Sequence, residues 1–297
     1  MADHQNNGKK FDVDRLTAID VHVHIEHEGE ETGADEAARK YFGEGAPRGR
    51  EGMAEYYRSR NIGCVIFTVA EHLSGRPQVS NDTVIEFAAK NSDIMMAFAS
   101  VNPTDGPRAI EELKRLIKTG LIRGVKLHPP IQQFFPNDRI AYPLYKVAEE
   151  AQLPVLFHTG HSGIGTGMPG GGGIRLKHGN PMYIDDVAVD FPDMPIIMAH
   201  PSFPWQDEAL SICLHKRQVY IDLSGWSPKY FPPSLIQYAN TLLKNKMLFG
   251  SDYPLITPDR WMADFAKIQI KDEVRPLIMK ENAMRLFGFT SKQAAKS

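Results

Sequence analysis

The stretch Ala18-Ile19-Asp20-Val21-His22-Val23-His24 carries the first chemistry in the chain. Apolar Ile19, Val21 and Val23 alternate with Asp20, His22 and His24, the period of a β-strand. Period two puts both imidazoles on one face of that strand, one above the other. Two neutral imidazoles one strand repeat apart suit a single divalent metal ion. Three later apolar runs end in His158, His200 and Asp252. Each of these side chains therefore stands at the C-terminal end of a strand, where barrel enzymes collect their chemistry. His22, His24 and His158 with the Asp252 carboxylate make a mixed N/O site suited to Zn²⁺, with Mn²⁺, Co²⁺ or Fe²⁺ as alternatives. A metal in such a site lowers the pKa of a bound water towards neutrality, which makes the site catalytic in kind. Asp252 then counts as ligand and catalytic residue together; its plainer alternative is an N-cap before Pro254. His200, in Met198-Ala199-His200-Pro201, is assigned as the general base for that water, because histidine titrates near working pH. A further metal ligand is the other chemical reading of it, and a structural bond to a loop carbonyl the plainer alternative.

Further candidates lie close to these strand ends. His128 closes another apolar run and either faces substrate or packs. Lys126 shares its face by period two; a carbamylated lysine bridging two metals, as some metal barrels use, is the disfavoured reading. The segment 161–173 leaves directly from His158 and is dense in glycine, which permits close backbone approach and movement. It is expected to be a mobile cover. It is not a phosphate loop, since no Gly-Lys-Ser/Thr closes it. Arg175 follows it as a candidate contact for a carboxylate or phosphate. Phe134, Phe135, Trp226 and Tyr230 fall in loops after the fourth and seventh strands. Trp226 and Tyr230 are candidates to flank a planar substrate, with ordinary loop packing as the alternative.

The elements that must position these residues alternate strictly. Strands are expected at 18–24, 61–68, 94–100, 122–127, 154–157, 195–199, 219–223 and 247–249. Helices are expected at 51–60, 81–90 (capped by Asn81 or Asp82), 107–118, 137–151, 181–191, 206–216, 233–244, 259–268 and 272–287. Some helix is also expected around 33–41, inside the long Glu/Gly/Ala-rich connection after His24. The strands are near-continuously apolar, as strands buried on both faces are. Eight βα units at this length make a (β/α)8 TIM barrel of the metal-dependent hydrolase type, in a single domain over 17–290 with tails at 1–16 and 291–297. An open doubly wound sheet is the competing layout, but it would carry a Gly-rich phosphate turn after its first strand.

With 297 residues, 42% hydrophobic and 24% charged, the chain can bury a full core. A net charge of −2 and dispersed basic residues argue against a nucleic-acid or membrane-surface partner. The two cysteines, Cys64 and Cys213, are far apart and read as small buried hydrophobes. The polar N-terminus has no apolar core of a secretory signal, so a cytoplasmic location is expected.

Taken together, Asp20-x-His22-x-His24, His158, Ala199-His200-Pro201 and Gly250-Ser251-Asp252-Tyr253-Pro254 resemble the amidohydrolase-2 family, the branch that includes aminocarboxymuconate semialdehyde decarboxylase and γ-resorcylate decarboxylase. The resemblance runs from Ile19 to Phe287. It implies a distorted (β/α)8 barrel and one divalent metal held by His22, His24, His158 and Asp252, with His200 as the catalytic histidine. The loops from Pro169-Gly170-Gly171-Gly172-Gly173 to Ser224-Gly225-Trp226-Ser227-Pro228-Lys229-Tyr230-Phe231-Pro232 are similar to those of hydroxyphenyl-β-ketoacyl-CoA hydrolases. That narrower similarity implies hydrolysis of an aryl β-ketoacyl-CoA to an aromatic acid and acetyl-CoA. The alternative is a metal-dependent non-oxidative decarboxylase of an aromatic or muconate-type acid. The expected partners are a small-molecule substrate, a CoA thioester among the candidates, with self-association into a homo-oligomer left open.

Overall fold

The computed structural model describes residues 11–27, 49–75 and 77–290. Eight strands follow one another around the sheet: β1 (Ala18–His24), β2 (Ile62–Phe67), β3 (Met95–Ser100), β4 (Ile122–Leu127), β5 (Val155–His158), β6 (Ile196–Ala199), β7 (Val219–Asp222) and β8 (Met247–Leu248). Every neighbouring pair is parallel and in chain order. The last strand returns to the first. The Val21 amide donates to the Phe249 carbonyl at 2.9 Å, the Asp252 amide to His22 at 3.0 Å and the His24 amide to Tyr253 at 2.8 Å. This is a (β/α)8 barrel, and its closure places β1 beside the β8 end that carries Asp252.

Helices cover the outside, and each buries one stripe. In Pro107–Lys118 the buried residues are Ala109, Leu113 and Leu116, spaced at helical periods, while Arg115 and Lys118 sit in the last turn where they complement the helix dipole. Helix Asn81–Lys90 is capped by Ser80, whose hydroxyl accepts from the Thr83 amide at 3.1 Å. The expected caps are displaced because Asn81 pairs twice with the Ser100 backbone at the end of β3.

The structure departs from the expected elements where local hydrogen bonding competes. The helix expected at 137–151 is confined to Tyr142–Glu150; ahead of it Asp138 accepts from the Phe135 amide at 2.7 Å and holds a turn. A short helical turn, Pro129–Gln132, precedes it. The helix expected to reach 244 stops at Ala239. The stretch 272–287 is a π-helical turn, Leu277–Glu281, followed by Asn282–Leu286, and the Ile278 carbonyl accepts the Phe249 amide after β8. Residues 11–16, placed in the tail from sequence, reach the core: Val13 and Leu16 are buried, and Phe11 stacks on Phe289 at 5.2 Å. The helix expected near 33–41 lies outside the described residues.

Candidate metal centre

The inward face of β1 carries Asp20, His22 and His24. Their polar side chains are enclosed because the barrel interior is filled from every strand. His22 is fully buried and His24 stands at the mouth. Three donor atoms meet there: His22 Nε2 to His24 Nε2 is 3.2 Å, and each lies 3.2 Å from Asp252 Oδ1. Donors at the corners of a 3.2 Å triangle are about 1.85 Å from its centre, so an ion with the usual bond of about 2.1 Å sits just off their plane. These three residues could hold a metal ion as they stand.

Asp222, at the end of β7, sets the direction of His22. Its Oδ2 lies 2.6 Å from His22 Nδ1, and both groups are shut off from solvent. A carboxylate on Nδ1 holds the proton there and leaves the Nε2 lone pair facing the triangle. Burial pushes the Asp222 carboxyl up to about 7 and the His22 imidazole well below its ordinary value. Burial alone would also raise Asp252, but the His24 hydrogen bond and the surrounding positive groups hold it below the usual carboxylate range. Asp20 anchors the far side. It accepts from the Ser251 amide at 2.9 Å, the Ser251 hydroxyl at 2.5 Å, the Tyr57 hydroxyl at 2.9 Å and the His22 amide at 3.1 Å. That network fixes β1 against the Gly250-Ser251-Asp252 turn, and burial still raises Asp20 to about 6.

His200 and His158 lie beside the triangle rather than in it. The rings of His22 and His200 are 4.9 Å apart, and His200 Nε2 is 3.0 Å from His158 Nδ1. His200 Nδ1 meets the Ser224 hydroxyl at 2.9 Å. Burial lowers His200 to about 4, a neutral imidazole at neutral pH. The Gly225 backbone packs so close to this ring that a Cβ there would stand 2.4 Å from Nδ1, and its φ of +73° favours glycine as well. Gly250 is tight for a similar reason, since a Cβ would stand 2.4 Å from Asp222 Oδ1. His200 and Asp252 themselves adopt left-handed φ of 73° and 70°. Non-glycine residues hold that conformation at a cost and mostly where function requires the side chain's direction. His158 is buried, and its Nε2 has no hydrogen-bond partner among the described residues.

The remaining candidates separate clearly. His128 stacks flat on His158, centroids 3.9 Å apart and planes 10° apart, and its Nδ1 accepts from the Ile131 amide at 3.4 Å. Lys126 is fully buried with Nζ 3.3 Å from His22 Nε2 and 4.8 Å from the Phe67 ring centroid. Burial lowers it to about 8, against the pull of Asp252 and Asp222. Arg175 is exposed in the turn after the glycine-rich loop. Trp226 and Tyr230 line one cleft with Phe203 and Pro201, next to His200 in the chain. Sequence reasoning passed over Asp222 and Ser224. Asp222 closes the apolar run of β7 just as His158 closes β5, so the same strand-end signal was present.

The amidohydrolase family profile matches residues 19–289. The chain belongs to the amidohydrolase family. No curated protein matches it. Among solved structures, an uncharacterised TIM-barrel protein from Bordetella bronchiseptica is 26% identical, with 92% of this chain and 99% of that chain covered and a TM-score of 0.74. A dihydroxybenzoic acid decarboxylase from a Polaromonas species, with bound manganese and the inhibitor 2-nitroresorcinol, is 15% identical over 92% of this chain and 97% of that one, TM-score 0.67. A probable 2-pyrone-4,6-dicarboxylic acid hydrolase from Acinetobacter baumannii is 18% identical over 92% and 100%, TM-score 0.60. As an amidohydrolase, the chain has the donors of a divalent-metal site at the mouth of its barrel. Among the described residues no helix is long and apolar enough to cross a membrane.

Proposed function

We propose that this amidohydrolase is a metal-dependent enzyme that cleaves a carbon–carbon bond beside a carbonyl group, and that it does so by hydrolysis. The observation that carries the reading is the triangle of His22, His24 and Asp252 with an imidazole, His200, held beside it by Ser224 and His158. A bound divalent ion, zinc in our reading, supplies an acidified water and polarises a carbonyl oxygen. His158 is the fourth donor we assign, because its buried Nε2 has no other partner among the described residues. His200 is the base: accepting a proton at Nε2 exchanges its contact with His158 for one with water. The substrate we assign is an aryl β-ketoacyl-CoA. The water oxygen bonds to the aryl ketone carbon, the bond from that carbon to the α-carbon breaks, and the thioester enolate takes the proton from His200. The products are an aromatic acid and acetyl-CoA, a step in cytoplasmic aromatic breakdown. The cleft of Phe203, Trp226, Tyr230 and Pro201 suits the flat, apolar part of such a substrate.

The second reading is decarboxylation of an aromatic acid, favoured by the likeness to a manganese-bound decarboxylase over nearly the whole chain. One experiment separates the two. The metal-loaded protein is given an aryl β-ketoacyl-CoA in ¹⁸O-labelled water and, separately, a panel of hydroxybenzoates. Label in the aromatic carboxylate after a single turnover supports hydrolysis. CO₂ from a hydroxybenzoate without thioester cleavage overturns it in favour of decarboxylation.

A further inference from the structure

Lys126 is the one side chain of the centre whose partner would be taken away by the ion the centre is built for. Its side chain is fully enclosed and stands over Phe67. Its ammonium has three N–H donors, and its hydrogen-bond acceptor among the described residues is His22 Nε2 at 3.3 Å. Among the described residues no carboxylate lies within ion-pair distance of it. Asp222 fixes the His22 proton on Nδ1, so Nε2 offers a single lone pair. A metal ion at the triangle uses that lone pair. Lys126 is then a buried cation beside a second cation, with donors and no acceptor, which is among the costliest arrangements in a protein interior. An incoming anion relieves it, and a charge-assisted N–H···O bond in a dry site is strong.

We propose that Lys126 Nζ is the seat for one oxygen of a carboxylate that enters the metal centre, as substrate in decarboxylation or as product in hydrolysis. The inference rests on the metal reading of the triangle and is indifferent to which reaction follows. In decarboxylation it selects an acid as substrate, and in hydrolysis it holds the acid product as it forms. It also gives the strand-four lysine a role as an unmodified ammonium.

The test uses cobalt and acetate. Metal-free wild type, Lys126→Met and Lys126→Gln are titrated with Co²⁺, then with acetate, and the visible cobalt bands are followed. Wild type is expected to bind one cobalt and to show a saturable spectral change with acetate. Both variants are expected to keep cobalt affinity at wild-type level or better and to bind acetate at least about tenfold more weakly. In the zinc form of wild type, the ζ-nitrogen resonance of ¹⁵N-labelled Lys126 is expected to move as acetate is added, a readout that does not depend on how the variants fold. Equal acetate affinity in wild type and variants, or a Lys126 resonance indifferent to acetate, overturns the assignment. A wild-type chain that takes up no cobalt overturns the metal reading itself, a result distinct from either of these.

Discussion

The two halves of the barrel mouth are built on opposite principles. On the β7–β8–β1 side every buried group is answered. Asp20 takes four hydrogen bonds, Asp222 holds His22, and Asp252 faces two imidazoles. On the β4–β5–β6 side the groups are bases and a cation with capacity to spare. His158 has an Nε2 without a partner among the described residues, His128 is stacked on it, and Lys126 leans on a nitrogen that a metal would claim. Saturated networks rigidify and specify geometry, while unsatisfied buried groups are costly and persist where function uses them. We therefore assign three donors of the metal seat to the first half, and to the second half the fourth donor, His158, and the side that faces the reacting molecule.

Substitutions sharpen that division, beginning with the largest effect. On the saturated side, Asp252→Ala or His22→Ala removes a corner of the triangle. Metal affinity is expected to fall by more than roughly 10²-fold, since even outer partners of a ligand cost about 10- to 100-fold, and equilibrium dialysis against the metal measures it. On the open side, His200→Ala is expected to keep the metal and lose about 10²- to 10⁴-fold in turnover. Metal content and rate on the same sample check the two together, and departure of the metal with the imidazole would make His200 a ligand. Asp222→Asn is the milder change on the saturated side. Its expected loss is about 10- to 100-fold in metal affinity at unchanged fold, because the tautomer of His22 is no longer enforced.

The same division governs acid stability of the metal-free protein. His22, His128, His158 and His200 all have folded pKa values below the ordinary 6.5, so the unfolded chain binds more protons and these groups lose stability as pH falls below 6.5. Asp20 and Asp222 are raised to about 6 and about 7, so the folded state holds their protons and they act with the opposite sign above 3.8. The imidazoles outnumber the two carboxyls, so unfolding takes up protons on balance. Stability should then fall as the pH drops from about 6 to 5. Urea midpoints at those two pH values check it, and equal midpoints would show that the open half is not held neutral. The smallest effect is Tyr57→Phe, which removes one donor from Asp20 and should cost about 1–3 kcal/mol by thermal unfolding, with the metal retained.

Much of this arrangement was legible in the chain itself. Asp20-x-His22-x-His24 announces a strand with two inward imidazoles, and apolar runs ending in His158, His200 and Asp252 announce the other strand ends. Eight such runs between helical stretches announce the barrel. The unreadable parts depend on contacts across the fold. Nothing local marks Asp222 as the partner of His22, because the two are 200 residues apart and meet only through barrel closure. Helix ends at 142 and 239 were decided by side-chain and turn hydrogen bonds that periodicity does not register. For Lys126 the sequence offers only its shared face with His128 and the disfavoured carbamylated bridge; its enclosure against His22 arises from barrel closure.

The central claim is that His22, His24 and Asp252 seat one divalent ion on which activity depends, and metal stoichiometry tests it directly. Protein stripped by chelation is titrated with Zn²⁺ or Mn²⁺ alongside Asp252→Ala, and turnover is followed on the same samples. The account predicts about one tightly bound ion per chain in wild type, none in the variant, and activity that returns in step with the ion. Metal content near zero in wild type, with turnover intact after chelation, would contradict it.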